Sequence, residues 1–145
     1  MSKYKYTLPH NIRKMCEYQL RHYKRDKKEL DEYKAQFLPS MAVNYDSLHV
    51  SGGTEQRQVE DSVIRMTTSA HVLHLEKSIS AVEHALALCD NVDLRIIELV
   101  DFRRSHSVIG AGAEVGLTEV PAYNRRNRIL MDIALEMGYV DLRGK

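Results

Sequence analysis

The sequence contains no run approaching about 18 consecutive apolar residues, the length a membrane-spanning helix needs. Its amino-terminal stretch, MSKYKYTLPH, also lacks the apolar segment of a signal peptide. A cytoplasmic protein with no membrane partner is the expectation. Cysteine is scarce: Cys16 and Cys89 stand far apart, each within helical-looking sequence, so neither a disulfide framework nor a zinc motif has support. Both read as small buried hydrophobes. No Ser, Cys or Thr sits in a nucleophile signature, and no motif pairs the scattered carboxylates for acid and base work. An enzyme is therefore the poorest of the functional hypotheses, and no catalytic residue, metal or cofactor is assigned. His71 and His74 lie three apart, with Glu76 close by and His84 further on, but no pattern of third and fourth ligands follows. They read as surface or interface histidines.

What is present suits one ordinary domain or two small ones. The chain has 145 residues, 43% of them hydrophobic, enough to bury a core. The formal charge of +1 hides segregation. Residues 1–34 hold ten basic side chains against five acidic, residues 35–100 four against nine, and residues 101–145 seven against six. Within the last segment Arg103 and Arg104 are adjacent, and Arg125, Arg126 and Arg128 fall within four positions. Such clustering is what a polyanion-binding face requires, although it also suits a merely solvated surface.

The periodicity is helical, with few strand signals. From about Pro9 to Gln36, Ile12, Met15, Cys16, Leu20, Tyr23, Leu30, Tyr33 and Phe37 recur at spacings near three and four, with basic residues between them. This predicts an amphipathic helix with a basic outer face. Residues 38–58, with Pro, Asn, Asp, Ser and the pair Gly52-Gly53, lose all period and read as a loop. A second long helix is expected from Thr54 or Glu55 to Leu88 or Cys89. On it Val72, Leu75, Ile79, Val82, Leu86 and Cys89 form one stripe, and Val59, Val63, Met66, Ala70 and Leu73 form a rotated one. Such a stripe needs a partner helix, from the same chain or from another subunit. Asp90, Asn91 and Asp93 then punctuate the chain, and DLRIIELVDF, apolar almost all round, predicts the buried base of a small C-terminal unit. The reading is all-α: an N-terminal helical region over residues 1–90 for oligomerisation or partner contact, and a C-terminal DNA-binding unit over residues 91–145.

The stretch GAGAEVG at residues 110–116 invites two readings. A dinucleotide loop needs a buried strand before the first glycine, GxGxxG spacing and a βαβ frame. Here the preceding DFRRSHSVI is mostly polar and the spacing is GxGxxxG. A helix-turn-helix fits better. Val108, Ala111 and Val115 supply an inward face, Gly112 the close-contact position, Gly116 the left-handed turn, Leu117 a core plug and Thr118 an N-cap. Glu119 and Pro121 suit the first turn of the second helix, and Ala122, Ile129, Leu130, Ile133, Ala134 and Met137 continue its apolar stripe to Gly138. Its outer face would carry Thr118, Glu119, Val120, Tyr123, Asn124, Arg126 and Asn127 as base-contacting residues, since Asn can bond bidentately to adenine and Arg to guanine. Arg103, Arg104, His106, Arg125 and Arg128 would hold the DNA backbone. An ordinary helical hairpin with a solvated arginine face is the competing reading.

The residues DLRIIELVDFRRSHSVIGAGAEVGLTEVPAYNRRNRILMDIALEMG, with the upstream SGG and long helix, resemble the RinA/ArpU group of phage late-gene transcriptional regulators. The C-terminal part of that group is similar to the promoter-reading fourth region of sigma factors. The resemblance covers most of the chain from about residue 50. It implies a recognition helix over residues 118–128 that enters a major groove of promoter DNA. It also implies N-terminal helices that mediate self-association or contact host RNA polymerase, and a phage-encoded activator of late or packaging genes in the host cytoplasm. Two departures stand out: Arg125 lies where such proteins often have an aromatic residue, and the first helix is poor in large residues, with Ala111, Gly112 and Ala113. A small-terminase-like packaging protein and a helical interaction module that binds no DNA are the alternatives.

Overall fold

The computed structural model describes residues 4–36 and 69–141, and every regular element among them is helical. The first, α1 (His10–Arg21), starts directly after Pro9, whose carbonyl accepts the Arg13 N–H at 2.9 Å. Proline costs nothing in a place where helix N–H groups lack internal partners anyway. The single helix expected from Pro9 to Gln36 is interrupted at His22; residues 23–36 are helical again and form α2. At the break, the Tyr18 carbonyl accepts the His22 N–H at 3.0 Å and also lies 2.8 Å from His22 Nδ1, while the two rings meet at a tilt of 39° with centroids 4.0 Å apart. A side chain bonding to the backbone in this way competes with the helical ladder.

Helix α3 spans Ala70–Ala87, α4 Asn91–Ile97, α5 Val108–Glu114 and α6 Glu119–Met137; between α4 and α5, Glu98–Phe102 forms one π-helical turn. The start of α4 is a capping box: Asp90 Oδ1 accepts the Asp93 N–H at 2.9 Å and Asp93 Oδ2 accepts the Asp90 N–H at 3.2 Å. The π turn, closed by the Arg103 N–H donating to Glu98 O at 2.8 Å, widens the helix so that Leu99, Val100 and Asp101 are all buried. The expected loop at residues 38–58 and the upstream half of the second long helix lie outside the described residues.

The chain divides into two compact units, Met1–Tyr23 with Ser78–Lys145, and Lys24–Lys77. The boundary expected near residue 90 is not where the units part. The reason lies in the core of the first unit, where Cys16 and Leu20 of α1 and Ala81, Val82 and Ala85 of α3 pack with Ile97 and with Ile129, Leu130, Ile133, Ala134 and Met137 of α6. A second cluster, Ile96, Leu99 and Val100 against Val108, Ala111 and Ala122, seats the α5–α6 pair on α4 and the π turn. Each fully buried Leu or Ile here contributes roughly 1.5–3 kcal/mol of transfer free energy. Part of the partner question for the long helix is thereby answered within the chain: the C-terminal half of α3 packs on α1 and α6. In DLRIIELVDF, Ile96, Ile97, Leu99 and Val100 are buried as expected, Phe102 is partly buried, and Leu94 is exposed.

In the second unit, Leu30, Val72 and Leu75 are buried, and His71 Nε2 lies 3.0 Å from Glu29 Oε1. The rotated stripe proposed for Ala70 and Leu73 is exposed, so only the Val72 stripe carries burial in this part of α3.

Candidate nucleic-acid interface

Helices α5 and α6 cross at a four-residue turn, and small residues decide how closely. A Cβ built on Gly112 would stand 2.5 Å from the Ala122 Cβ, a separation no pair of carbons tolerates. Gly112 is therefore a contact position in which any larger residue displaces α6. Gly116 takes φ +82°, and the Leu117 N–H returns to Gly112 O at 2.8 Å, which reverses the chain. Upstream, Ser107 caps α5 by accepting the Gly110 N–H at 3.0 Å. Thr118 occupies the N-cap position of α6, but its side chain makes no capping hydrogen bond; the first turn is supported by the Ala122 N–H donating to Thr118 O at 3.2 Å.

The residues nominated for base contact fall into two groups. Thr118 is exposed, and Glu119, Val120, Tyr123, Asn124 and Asn127 are partly exposed along one side of α6. Arg126 is not with them. It is 5% exposed, donating from Nε and Nη2 to Asp101 at 3.1 and 2.7 Å, with Nη1 3.6 Å from Glu17 Oε1. Asp101 is fully buried and also accepts a hydrogen bond from Arg21 Nε at 3.2 Å. Burial works against the charged guanidinium, but the hydrogen bonds and charge of Asp101, with Glu17, outweigh it and hold the Arg126 pKa above the usual arginine value. Arg126 pins α1 and the π turn to α6 and does not read bases, because a guanidinium committed to an interior carboxylate cannot also reach a groove.

The nominated backbone contacts are mostly engaged too. Arg125 donates to Asp90 at 2.9 Å and to Asp93 at 3.0 Å, and Arg128 to Asp93 at 3.1 Å, so the acids that cap α4 also bind the outward arginines of α6. The Asp93 amide and the Arg125 guanidinium hold the Asp90 carboxyl below its ordinary pKa, and the same two aspartates raise that of Arg125. Arg103 pairs with Glu98 at 3.2 Å, and His106 Nε2 lies 2.8 Å from Glu114 Oε1. Arg104 is exposed at φ +57°, an uncommon backbone for a residue with a Cβ, and has no ion-pair partner among the described residues.

Sequence reasoning missed the segment that covers this face. Tyr4 Oη donates to Glu119 Oε1 at 2.9 Å, and its ring lies 4.8 Å from that of Tyr123, centroid to centroid. The Lys5 N–H donates to Asn124 Oδ1 at 2.7 Å. The signal available in the sequence was the alternation of aromatic and basic residues in KYKY, just before the proline that opens α1.

Cys16 is buried as expected, whereas Cys89 is only partly buried. Burial, with Glu17 adding, pushes Cys16 up to about 12, and burial with Asp93 pushes Cys89 up to about 11. No described helix is long and apolar enough to cross a membrane. Comparison of the chain with protein-family models, curated proteins and solved structures finds no match.

Proposed function

We propose that α5 and α6 form a helix-turn-helix with α6 as the recognition helix, and that the protein is a sequence-specific DNA-binding transcriptional regulator of the kind the RinA/ArpU resemblance implies. One observation carries the reading: the Gly112–Ala122 crossing and the left-handed Gly116 bring α5 against α6 while leaving Thr118, Val120, Asn124 and Asn127 off the hydrophobic core. These are side chains with groove-reading chemistry on the first turns of a helix, where such motifs contact bases. Arg104, outside any ion pair among the described residues, is the backbone-contact candidate that needs no rearrangement. Arg103, Arg125 and Arg128 would exchange a carboxylate for a phosphate.

That exchange is also what favours a second reading, a helical protein-interaction module without DNA binding, because the carboxylates already satisfy most of the arginine face. A fluorescence-anisotropy titration against a random-sequence duplex library, followed by enrichment of bound sequences, separates the two. A regulator enriches a defined site and loses affinity as salt rises. Asn124→Ala then lowers discrimination at one base pair by roughly 1–3 kcal/mol. A protein that neither enriches a site nor shows salt-dependent affinity is the interaction module.

A further inference from the structure

The segment Tyr4–Thr7 lies on the groups that α6 would need for reading bases. Tyr4 occupies Glu119 and the face of Tyr123, the Lys5 backbone occupies Asn124 Oδ1, and Tyr4, Tyr6 and Leu8 line a cleft of about 50 Å³ with Asn127. From this geometry, and resting on the DNA-binding reading, we infer that residues 4–7 are an autoinhibitory strap: the reading face of α6 is closed until the strap leaves it.

The exclusion is chemical. An asparagine that binds adenine bidentately uses both its carbonyl oxygen and its amide, and the Asn124 oxygen is held at 2.7 Å by the Lys5 N–H. The Tyr123 ring likewise has Tyr4 against it, centroids 4.8 Å apart, where a base or sugar would have to approach. The strap is also built to detach. Residues 4–7 belong to no helix, and Lys5 and Thr7 are exposed. The contacts that hold it on the reading face include two hydrogen bonds and one aromatic pair. The anchor comes later: Leu8 and Ile12 pack against the main core beside Cys16 and Leu20, so α1 stays docked when the strap lifts. A ligand that requires the open state binds with an apparent affinity reduced by the open fraction, so weakening the strap raises affinity with no new contact to DNA.

The test uses full-length protein and the same fluorescein-labelled random-sequence duplex library, with any duplex enriched from it, at constant salt. Tyr4→Phe removes one hydrogen bond, Tyr4→Ala removes the ring as well, and Lys5→Pro removes the N–H held by Asn124. The two Tyr4 variants leave the net charge unchanged, so a gain in affinity is not electrostatic. All three changes lie outside the core, and thermal melts equal to wild type check that they fold. The expected order of affinity is Tyr4→Ala above Tyr4→Phe above wild type, with on the order of tenfold between the extremes and a gain for Lys5→Pro as well. Equal or weaker binding by Tyr4→Ala and Lys5→Pro overturns the strap and leaves DNA binding standing, with the segment then acting as a contact arm or as mere packing. Absence of binding by wild type and all variants overturns the DNA-binding reading itself, and the strap falls with it.

Discussion

Three arginines within four positions of α6 meet two opposite environments. Arg126 is buried and committed to Asp101, whereas Arg125 and Arg128, on either side of it in sequence, lie on the outer side of the helix against the aspartates that cap α4. Helical geometry makes the difference. Arg126 falls on the stripe Ala122, Arg126, Ile129, Ile133, at steps of four, three and four, which is the stripe that faces the core. A turn of about 100° per residue carries its neighbours away from it. An arginine run is thus no single surface: the same residue type serves here as an interior tie and there as an outward cation paired with partly exposed or capping aspartates.

The comparison breaks most visibly at Asp101. Asp101→Ala leaves the Arg126 guanidinium buried with only Glu17 nearby, and a loss of roughly 3–5 kcal/mol in urea unfolding is expected. Adding Arg126→Met to that variant removes the stranded charge and should restore part of the loss, so the cycle is strongly non-additive. Additive losses would mean that the pair is not coupled.

Next in size is the crossing that holds the outward side of α6 in place. Gly112→Val puts carbon into space occupied by Ala122 and should cost about 1–3 kcal/mol, partly relieved by Ala122→Gly; a melt equal to wild type would contradict the tight crossing. Gly116→Ala comes third. No atom lies within 4 Å of the added carbon, so its expected cost of about 1 kcal/mol is the backbone strain of a left-handed residue alone.

The smallest effects belong to the outward arginines. Arg125→Ala or Arg128→Ala alone should shift the melting temperature only slightly, since the other still neutralises Asp93, and the double change should exceed the sum of the two. Acid titration sharpens the contrast. Asp90 has a depressed pKa when folded, so its contribution is fully present above the ordinary aspartate value of about 3.9 and is lost as pH falls through the lower, folded value. Arg125→Ala removes one cause of that depression and should flatten the acid limb of a stability–pH curve measured by thermal melting. An unchanged acid limb would leave the backbone amides of Asp93 and Val92 as the cause.

Much of this was legible in the amino-acid pattern, and what was not has a common origin. The helical spacing of Val72, Leu75, Ile79 and Val82 and of Ile129, Ile133 and Met137 announces buried faces, and all of them are buried. Gly116 before an apolar residue and a hydroxyl announces a turn. Arg126 was also within reach of its angular position, but assigning it by the chemistry of its side chain placed it outside. Asp101, alone among apolar neighbours in ELVDF, was the other half of that signal.

The sequence by itself determined that the chain is helical where it is described, where α5 turns into α6, and which stripes are apolar. These depend on residues within a few positions of one another, whose spacing and backbone preferences act locally. Only the tertiary structure decided that α1 joins the C-terminal unit, that Arg126 is an interior tie, and that Tyr4 and Lys5 lie across α6. Those contacts join residues 25 positions apart for Arg126 and Asp101, and 115 and 119 apart for the strap. No local spacing encodes such pairings; they follow from which buried surfaces close on one another once the helices pack.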